Sequence, residues 1–312
     1  LQQYTGAYIR EMGLELNTHP ALNDSAKNIF CADAFNLNAF PHTGADNKKQ
    51  AAVKSSLAEL GRRLFFEKAL SRNHLRNCAS CHQPEKYFTD GLPLALAYDG
   101  HSRLKRNAPT LLYAAFQYNQ FLDGRATSLE DQVKDVMHNP AEMNADDDSV
   151  CRWLENDSAY SLLFKKAFGE NAISVDRIAE AIAAFVRVLA PFNSGFDRYI
   201  SGDRNAMSPS QLRGFNLFMG KAQCGTCHFA PLFNGLAPPF YDLTEFEILD
   251  VPATEDFSNV KPDADSGRYA VYPVPYNEGA FKTPTVRNSA VTAPYMHHGA
   301  VSNFEKVLDF YD

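Results

Sequence analysis

Long apolar runs are missing from this sequence, and so are abundant cysteine, abundant tryptophan and any surplus of positive charge. The most apolar stretch, Ala181 to Ala190, is short and interrupted by Arg187. A bilayer-spanning helix needs about 20 apolar residues, so no membrane span is expected. Lysine and arginine number 30 against 37 aspartates and glutamates, a net charge of −7. That balance argues against nucleic acid and anionic membrane as partners; it permits docking against a basic patch on another protein. Six cysteines in 312 residues are too few for a disulfide scaffold. The first residues, Leu1-Gln2-Gln3-Tyr4, are neither a start methionine nor a signal peptide, and the expectation is a processed or trimmed form.

What is present is ordinary in bulk and specific in detail. Apolar residues make up 45% and charged ones 21%, as in a soluble globular protein, and the length allows two domains, or one domain and an appendage. Four of the cysteines fall in two motifs, Cys78-Ala79-Ser80-Cys81-His82 and Cys224-Gly225-Thr226-Cys227-His228. Cys-x-x-Cys-His is the attachment pattern of c-type haem: two thiols reach one porphyrin edge, and the adjacent histidine is held beneath the iron. A thioredoxin-like Cys-x-x-Cys would need a βαβ context that is absent around both motifs. A shared zinc site would not explain a histidine directly after each second cysteine. Two covalently bound haem c groups are therefore expected, on Cys78, Cys81 and His82 and on Cys224, Cys227 and His228. Covalent attachment of this kind takes place outside the cytoplasmic membrane, so the expected location is periplasmic. Cys31 and Cys151 remain, either as a disulfide in that oxidising compartment or as two free thiols.

The motifs sit in a loose internal repeat. Leu60-Gly61-Arg62-Arg63-Leu64-Phe65-Phe66 precedes the first, and Arg213-Gly214-Phe215-Asn216-Leu217-Phe218-Met219 precedes the second. Both read as helices leading to a haem. The second has Ser208 as N-cap, Pro209 at the first helical position and Gln211 to complete a capping box. Between them Ser174 caps a helix with apolar positions Ile178, Ile182, Phe185, Val186 and Leu189, ended by Pro191. Residues 193–209 read as the interdomain crossover, and 231–283 as long loops with at most a short hairpin. The fold class expected is mainly α: two cytochrome c-like haem domains with long loops and little β. The boundaries are an N-terminal arm, or the end of a larger region, over 1–55; a first haem domain over 56–205; and a second over 206–312.

From about residue 57 onward the chain resembles the bacterial diheme cytochrome c peroxidase/MauG family. The repeat segment before the first motif and the motif itself carry the likeness, extended by Gln83-Pro84 and by Phe88-Thr89-Asp90-Gly91. Further on come Arg106-Asn107-Ala108-Pro109-Thr110-Leu111, Asp123-Gly124-Arg125 and Asn139-Pro140-Ala141-Glu142-Met143. Phe281-Lys282-Thr283-Pro284-Thr285-Val286-Arg287-Asn288 and Thr292-Ala293-Pro294-Tyr295-Met296-His297 complete it. The resemblance implies that the N-terminal haem meets hydrogen peroxide while the C-terminal haem stores and relays electrons. It makes His82 and His228 the proximal ligands, Glu142 the distal carboxylate and Gln132 a distal glutamine. A carboxylate above an open iron face can take a proton from one peroxide oxygen and return it to the other. The resemblance also implies calcium between the domains, held by the Asn107 side chain and the carbonyls of Thr292 and Pro294, hard oxygen donors suited to that ion.

The sequence departs from the family at informative places. Members that need reductive activation carry a distal histidine before Arg-Asn-Ala-Pro; Asp99 stands at that position, and His101, displaced by two residues, reads as a loop histidine. On the second haem, counting on from His297 to the position of the relay ligand reaches Tyr311. An anionic oxygen donor there, as in the tyrosine-ligated MauG-like branch, lowers the iron potential. Met296 is the alternative ligand. The tryptophan that bridges the haems elsewhere in the family is Leu122 here, which leaves Phe121, Tyr118 or direct tunnelling.

The leading expectation is a peroxide-reducing enzyme fed by a small electron-donor protein, a cytochrome c or a cupredoxin. The alternative is MauG-like oxidation of a side chain on a protein substrate. A non-catalytic diheme electron carrier is the reading from another class, and it would leave Glu142 idle.

Overall fold

The computed structural model describes residues 50–312 apart from 259, with residues 21–23, 26, 29, 30, 34–36 and 40 before them. Cys31 lies outside the described residues, and with it the question of its pairing with Cys151. The chain is mainly helical. Its helices are α1 (Gln50–Phe65), α2 (Leu129–His138), α3 (Asp147–Glu155), α4 (Ser158–Phe168), α5 (Val175–Arg187), α6 (Gly195–Ile200), α7 (Pro209–Met219) and α8 (Phe304–Tyr311). The small sheet described is one antiparallel pair, β1 (Phe246–Ile248) with β2 (Ala280–Lys282), in register Glu247 to Phe281.

Local chemistry accounts for the helix starts. Ser128, Asp146, Asp157, Ser174, Ser194, Ser208 and Asn303 each cap a helix by accepting a backbone N–H with the side chain, satisfying a donor that the first turn leaves orphaned. The predicted capping box of Ser208 and Gln211 is formed. α5 stops at Arg187, short of Pro191: Leu189 folds back to bond Val186, and its carbonyl accepts from Tyr113 instead of a helical partner. The stretch read as a bare crossover contains α6, closed by a capping box of Ser194 and Asp197.

α5 is the spine of the first half. Ile178, Ala181 and Ile182 on it are buried against Leu57, Leu60, Leu64 and Phe65 of α1 and Phe164 of α4. Gly61 allows this approach, because a methyl group there would collide with the carbonyl oxygen of Ala181. A second core joins Ala21, Ala34, Phe35 and Phe40 to Tyr113 and Phe116 and to Leu232, Leu236 and Tyr241. Phe35 packs edge-on against both Phe116 and Tyr241, so the described N-terminal residues knit the two halves together. Charge does the same elsewhere. Arg106 binds Asp265 in bidentate fashion and also holds Asp123, while buried Arg287 pairs with Asp197 at 2.8 Å.

Candidate functional site

Both Cys-x-x-Cys-His motifs adopt the same backbone. Each first cysteine opens a single 3-10 turn, and its carbonyl accepts from the motif histidine N–H, at 3.0 Å from His82 and 3.0 Å from His228. The two thiols and the ring of each motif are thereby gathered on one short turn. The ring orientation is fixed from outside. His82 Nδ1 lies 3.1 Å from the Phe88 carbonyl, and the Pro109 carbonyl lies near the same ring. His228 Nδ1 lies 3.0 Å from the Pro284 carbonyl and faces that of Phe233. With Nδ1 committed, Nε2 is the nitrogen left to offer its lone pair, the tautomer a metal-ligating imidazole needs. Burial lowers the pKa of both rings and keeps them neutral.

The same clasp is built twice. Thr110, after Pro109, donates its hydroxyl to the Tyr87 carbonyl at 2.6 Å; Thr285, after Pro284, donates to the Leu232 carbonyl at 2.7 Å. Each hydroxyl also accepts a backbone N–H two residues on, from Leu112 and Arg287 at 3.1 Å. Phe88 and Phe233, which follow the clasped carbonyls, both adopt left-handed φ, +61° and +54°. The repeat recognised before the motifs thus continues after them, and the Pro-Thr dipeptide was its visible sign.

The residues fit the group that the motifs call for. The donor set at each is two thiols and one neutral imidazole. Beside the second motif lies an open cavity of about 350 Å³ lined by Phe215, Phe218, Phe233, Tyr113 and Arg287, among others. Phe218 reaches the His228 ring at 6.5 Å. A large, flat, mostly apolar cofactor suits such walls.

Around the first motif, Glu142 stands in a turn made by Asn139. The Asn139 side chain accepts from Ala141 N–H and donates to Glu142 Oε1 at 2.8 Å, leaving Oε2 available. Burial raises the Glu142 pKa, against the pull of Arg125. Its charge is also felt at Cys81, which places it on the first motif's side of the molecule. Gln132 is half-buried on α2, the helix that runs into this turn. A loop closes over the region: Tyr98 N–H donates to the Ala141 carbonyl at 2.7 Å, and Leu104 and Ala97 pair across the loop with Ala95 and Ser102. Asp99 is spent inside this loop. It accepts from the N–H groups of His101 and Ser102 and from the Ser102 hydroxyl, and these hold its carboxyl down at about 2. His101 is exposed at the loop tip.

Near the second motif, Tyr311 ends α8. The helix is anchored by the Ser302 bond to Glu255 and by Phe310 against Phe257. The Tyr311 side chain is 56% exposed. Burial of the rest, and then the thiols of Cys227 and Cys224, push its phenol up, which puts it beside the second motif. Met296 sits in the turn after Tyr295, half-buried, with φ of +69°. Asn107 is brought against the 292–297 segment: its N–H donates to the His297 carbonyl at 2.8 Å, and its Nδ2 to the Leu92 carbonyl at 2.7 Å. Among the described residues, no backbone N–H donates to the carbonyl of Thr292 or Pro294.

Sequence reasoning missed several groups here. Lys282 is buried, bonded to the Gln117 side chain and, at 2.8 Å, to the Asn119 carbonyl; burial drops its ammonium to about 7. Its N–H holds the Leu122 carbonyl at 2.7 Å, so it fixes the segment where the bridging tryptophan is absent. His297 stacks on Phe281 at 3.9 Å and meets Asp263 at 3.0 Å. Lys282 was quoted within a motif, but only the fold shows its ammonium turned inward.

A family profile for the di-haem cytochrome c peroxidases matches residues 55–205. The methylamine utilization protein MauG of Methylophilus methylotrophus is 36% identical, over 81% of this chain and 71% of that one. The cytochrome c551 peroxidase of Nitrosomonas europaea is 33% identical, over 82% of this chain and 72% of its own length. Among solved structures, a MauG-like protein associated with microbial copper homeostasis superposes with a TM-score of 0.75 at 30% identity, covering 86% of this chain and 79% of that one.

Proposed function

The chain belongs to the di-haem cytochrome c peroxidase family, and we propose that it is a periplasmic enzyme that reduces hydrogen peroxide at its first haem with electrons relayed through the second. As a member of that family it is an oxidoreductase that takes peroxide as its acceptor. No helix among the described residues is long and apolar enough to cross a membrane. Cys78, Cys81 and His82 would hold one haem c, which would supply the iron for opening the O–O bond, and Cys224, Cys227 and His228 would hold a second, which would supply electrons.

The observation that carries the reading is the half-buried Glu142, pinned by Asn139 on the first motif's side. Asn139 fixes Oε1, so Oε2 is the oxygen free to accept a proton from one end of the peroxide and return it to the other. The raised pKa suits a group that must both take and give a proton. Gln132 serves as a neutral donor from α2. An electron carrier would have no use for a carboxyl pinned on one oxygen and raised by partial burial. Asn107 Oδ1 and the Thr292 and Pro294 carbonyls, which accept no backbone hydrogen bond among the described residues, would be the oxygen donors that hold calcium.

The donor is a small redox protein, a cytochrome c or a cupredoxin. A second reading, MauG-like oxidation of a side chain on a partner protein, is favoured by one observation, the closeness of the Tyr311 phenol to Cys224 and Cys227. The test is Glu142→Gln. Intact mass should still show two covalent haems, while the spectral response to peroxide slows by roughly 10²-fold, the usual size of an acid–base contribution. An unchanged rate sinks the assignment, and a native protein with one haem sinks the whole reading.

A further inference from the structure

Arg76, two residues before the first motif, has one half of its guanidinium committed and the other half idle. Nη2 donates to the Leu96 carbonyl at 2.6 Å and lies 3.5 Å from Cys81 Sγ. Nη1 is buried and has no hydrogen-bond partner among the described residues. The backbone cannot swing the group away: Arg76 N–H donates to the Ser71 hydroxyl at 3.2 Å, and the Asn77 side chain is tied to the Phe66 carbonyl at 2.7 Å. A buried donor on a charged group, left unsatisfied, costs roughly 1–3 kcal/mol or more. Such a position calls for a partner that is an anion.

Two placements say where that anion sits. Cys81 would hold the thioether edge of a porphyrin, the edge opposite its carboxylates, so Nη1 is suited to an anion other than those carboxylates. The charge of Arg76 is also felt at the Glu142 carboxyl, where it opposes the effect of burial. Leu96, which Nη2 holds, belongs to the loop that closes over this side through Tyr98 and Ala141.

We propose that Arg76 Nη1 is the anion-binding donor of the first haem's open side, contacting small anionic ligands and the oxygen of peroxide that acquires negative charge. This rests on the reading of the first motif as the peroxide site. Glu142 then handles the proton while Arg76 holds the charge, the division of labour expected where an oxygen becomes anionic in a dry pocket.

The experiment is ligand binding to the ferric holoprotein, read by absorbance, with fluoride as the anionic probe and imidazole as the neutral one. Arg76→Gln keeps a donor for the Leu96 carbonyl but removes the charge; Arg76→Lys keeps the charge. Fluoride affinity should fall by about tenfold or more in Arg76→Gln, which corresponds to about 1.4 kcal/mol. It should be largely restored in Arg76→Lys, with imidazole binding unchanged in both. Unchanged fluoride affinity in Arg76→Gln overturns the proposal. So does equal weakening of fluoride and imidazole, which would make Arg76 a strut for the loop. If the parent protein binds neither probe and ignores peroxide, the peroxide reading itself falls, and that result appears before any variant is made.

Discussion

The two haem motifs share a backbone, a histidine tautomer and a Pro-Thr clasp, yet their surroundings differ in kind. The first is bordered by half-buried polar groups: Glu142 pinned by Asn139, Arg76 with its Nη1 buried and idle, and a loop bonded at Tyr98 and Ala141. The second is bordered by an aromatic cavity on one side and by the half-exposed Tyr311 at the end of α8 on the other. Duplication supplies the means of holding a haem. Divergence around it gives the first motif a pinned carboxylate and a guanidinium, and the second an aromatic cavity and a phenol.

The repeat glycines give the largest effect with which to break this comparison. Gly61 and Gly214 occupy matching places in the helices that lead to the motifs. Gly61 faces the Ala181 carbonyl oxygen with no room for a Cβ, whereas nothing lies within 4 Å of a Cβ built on Gly214. Gly61→Ala must push α1 off α5 and should cost roughly 3 kcal/mol or more, enough to lower the thermal midpoint by many degrees. Gly214 lines the aromatic cavity beside the second motif and a Cβ there meets no protein atom, so Gly214→Ala should lower the midpoint much less than Gly61→Ala. Equal losses would mean that the first half's tight helix pair is not what its stability rests on.

That contrast was half legible in the sequence. The motifs, the glycines and the Ser174 and Ser208 caps are local signals, and the structure has α5 and α7 where those caps place them. α3 and α4 carried no expectation from the sequence, although the caps Asp146 and Asp157, with Asp147 and Asp148 in the first turn of α3, are what start them. The hairpin allowed within 231–283 exists only as two short strands far apart in the chain. The repeated Pro-Thr dipeptide is the one local mark of the clasps, and it does not reveal the carbonyl that each threonine binds, because the two are joined only by the fold. Arg76 reads as a plain surface cation until Leu96 and Cys81 arrive beside it. Site chemistry that depends on residues distant in sequence is what one-dimensional patterns lose.

Tyr311→Phe tests the second site at a smaller scale. If the phenolate oxygen is the second haem's outer ligand, the variant keeps the ring and the fold but loses an anionic donor. The low-spin signal of that haem should weaken and its potential should rise, measured by absorbance in a redox titration. Met296→Leu should change neither. The opposite pattern would move the ligand to Met296 and make the second site an ordinary electron relay, drawing the protein toward a donor-fed peroxidase.

The smallest effect probes what the two sites have in common. Thr110→Val and Thr285→Val each remove one hydroxyl that bridges a loop carbonyl and a backbone N–H next to the histidine's own clasp. Valine fills the same space, so the loss is the hydrogen bonds alone, about 1 kcal/mol each by the usual net value. The clasps share no hydrogen-bond partner, so the double variant should lose about the sum of the two. Because each threonine follows the proline whose carbonyl faces a histidine Nδ1, loosening it should also broaden the ligand-field bands of its own haem and leave the other's sharp. Denaturation midpoints and the two haem spectra check both halves of this expectation. If Thr110→Val blurs both haems, or if only one substitution costs stability, then the matching geometry is inherited shape without matching energetics, and the two sites have diverged further than their backbones show.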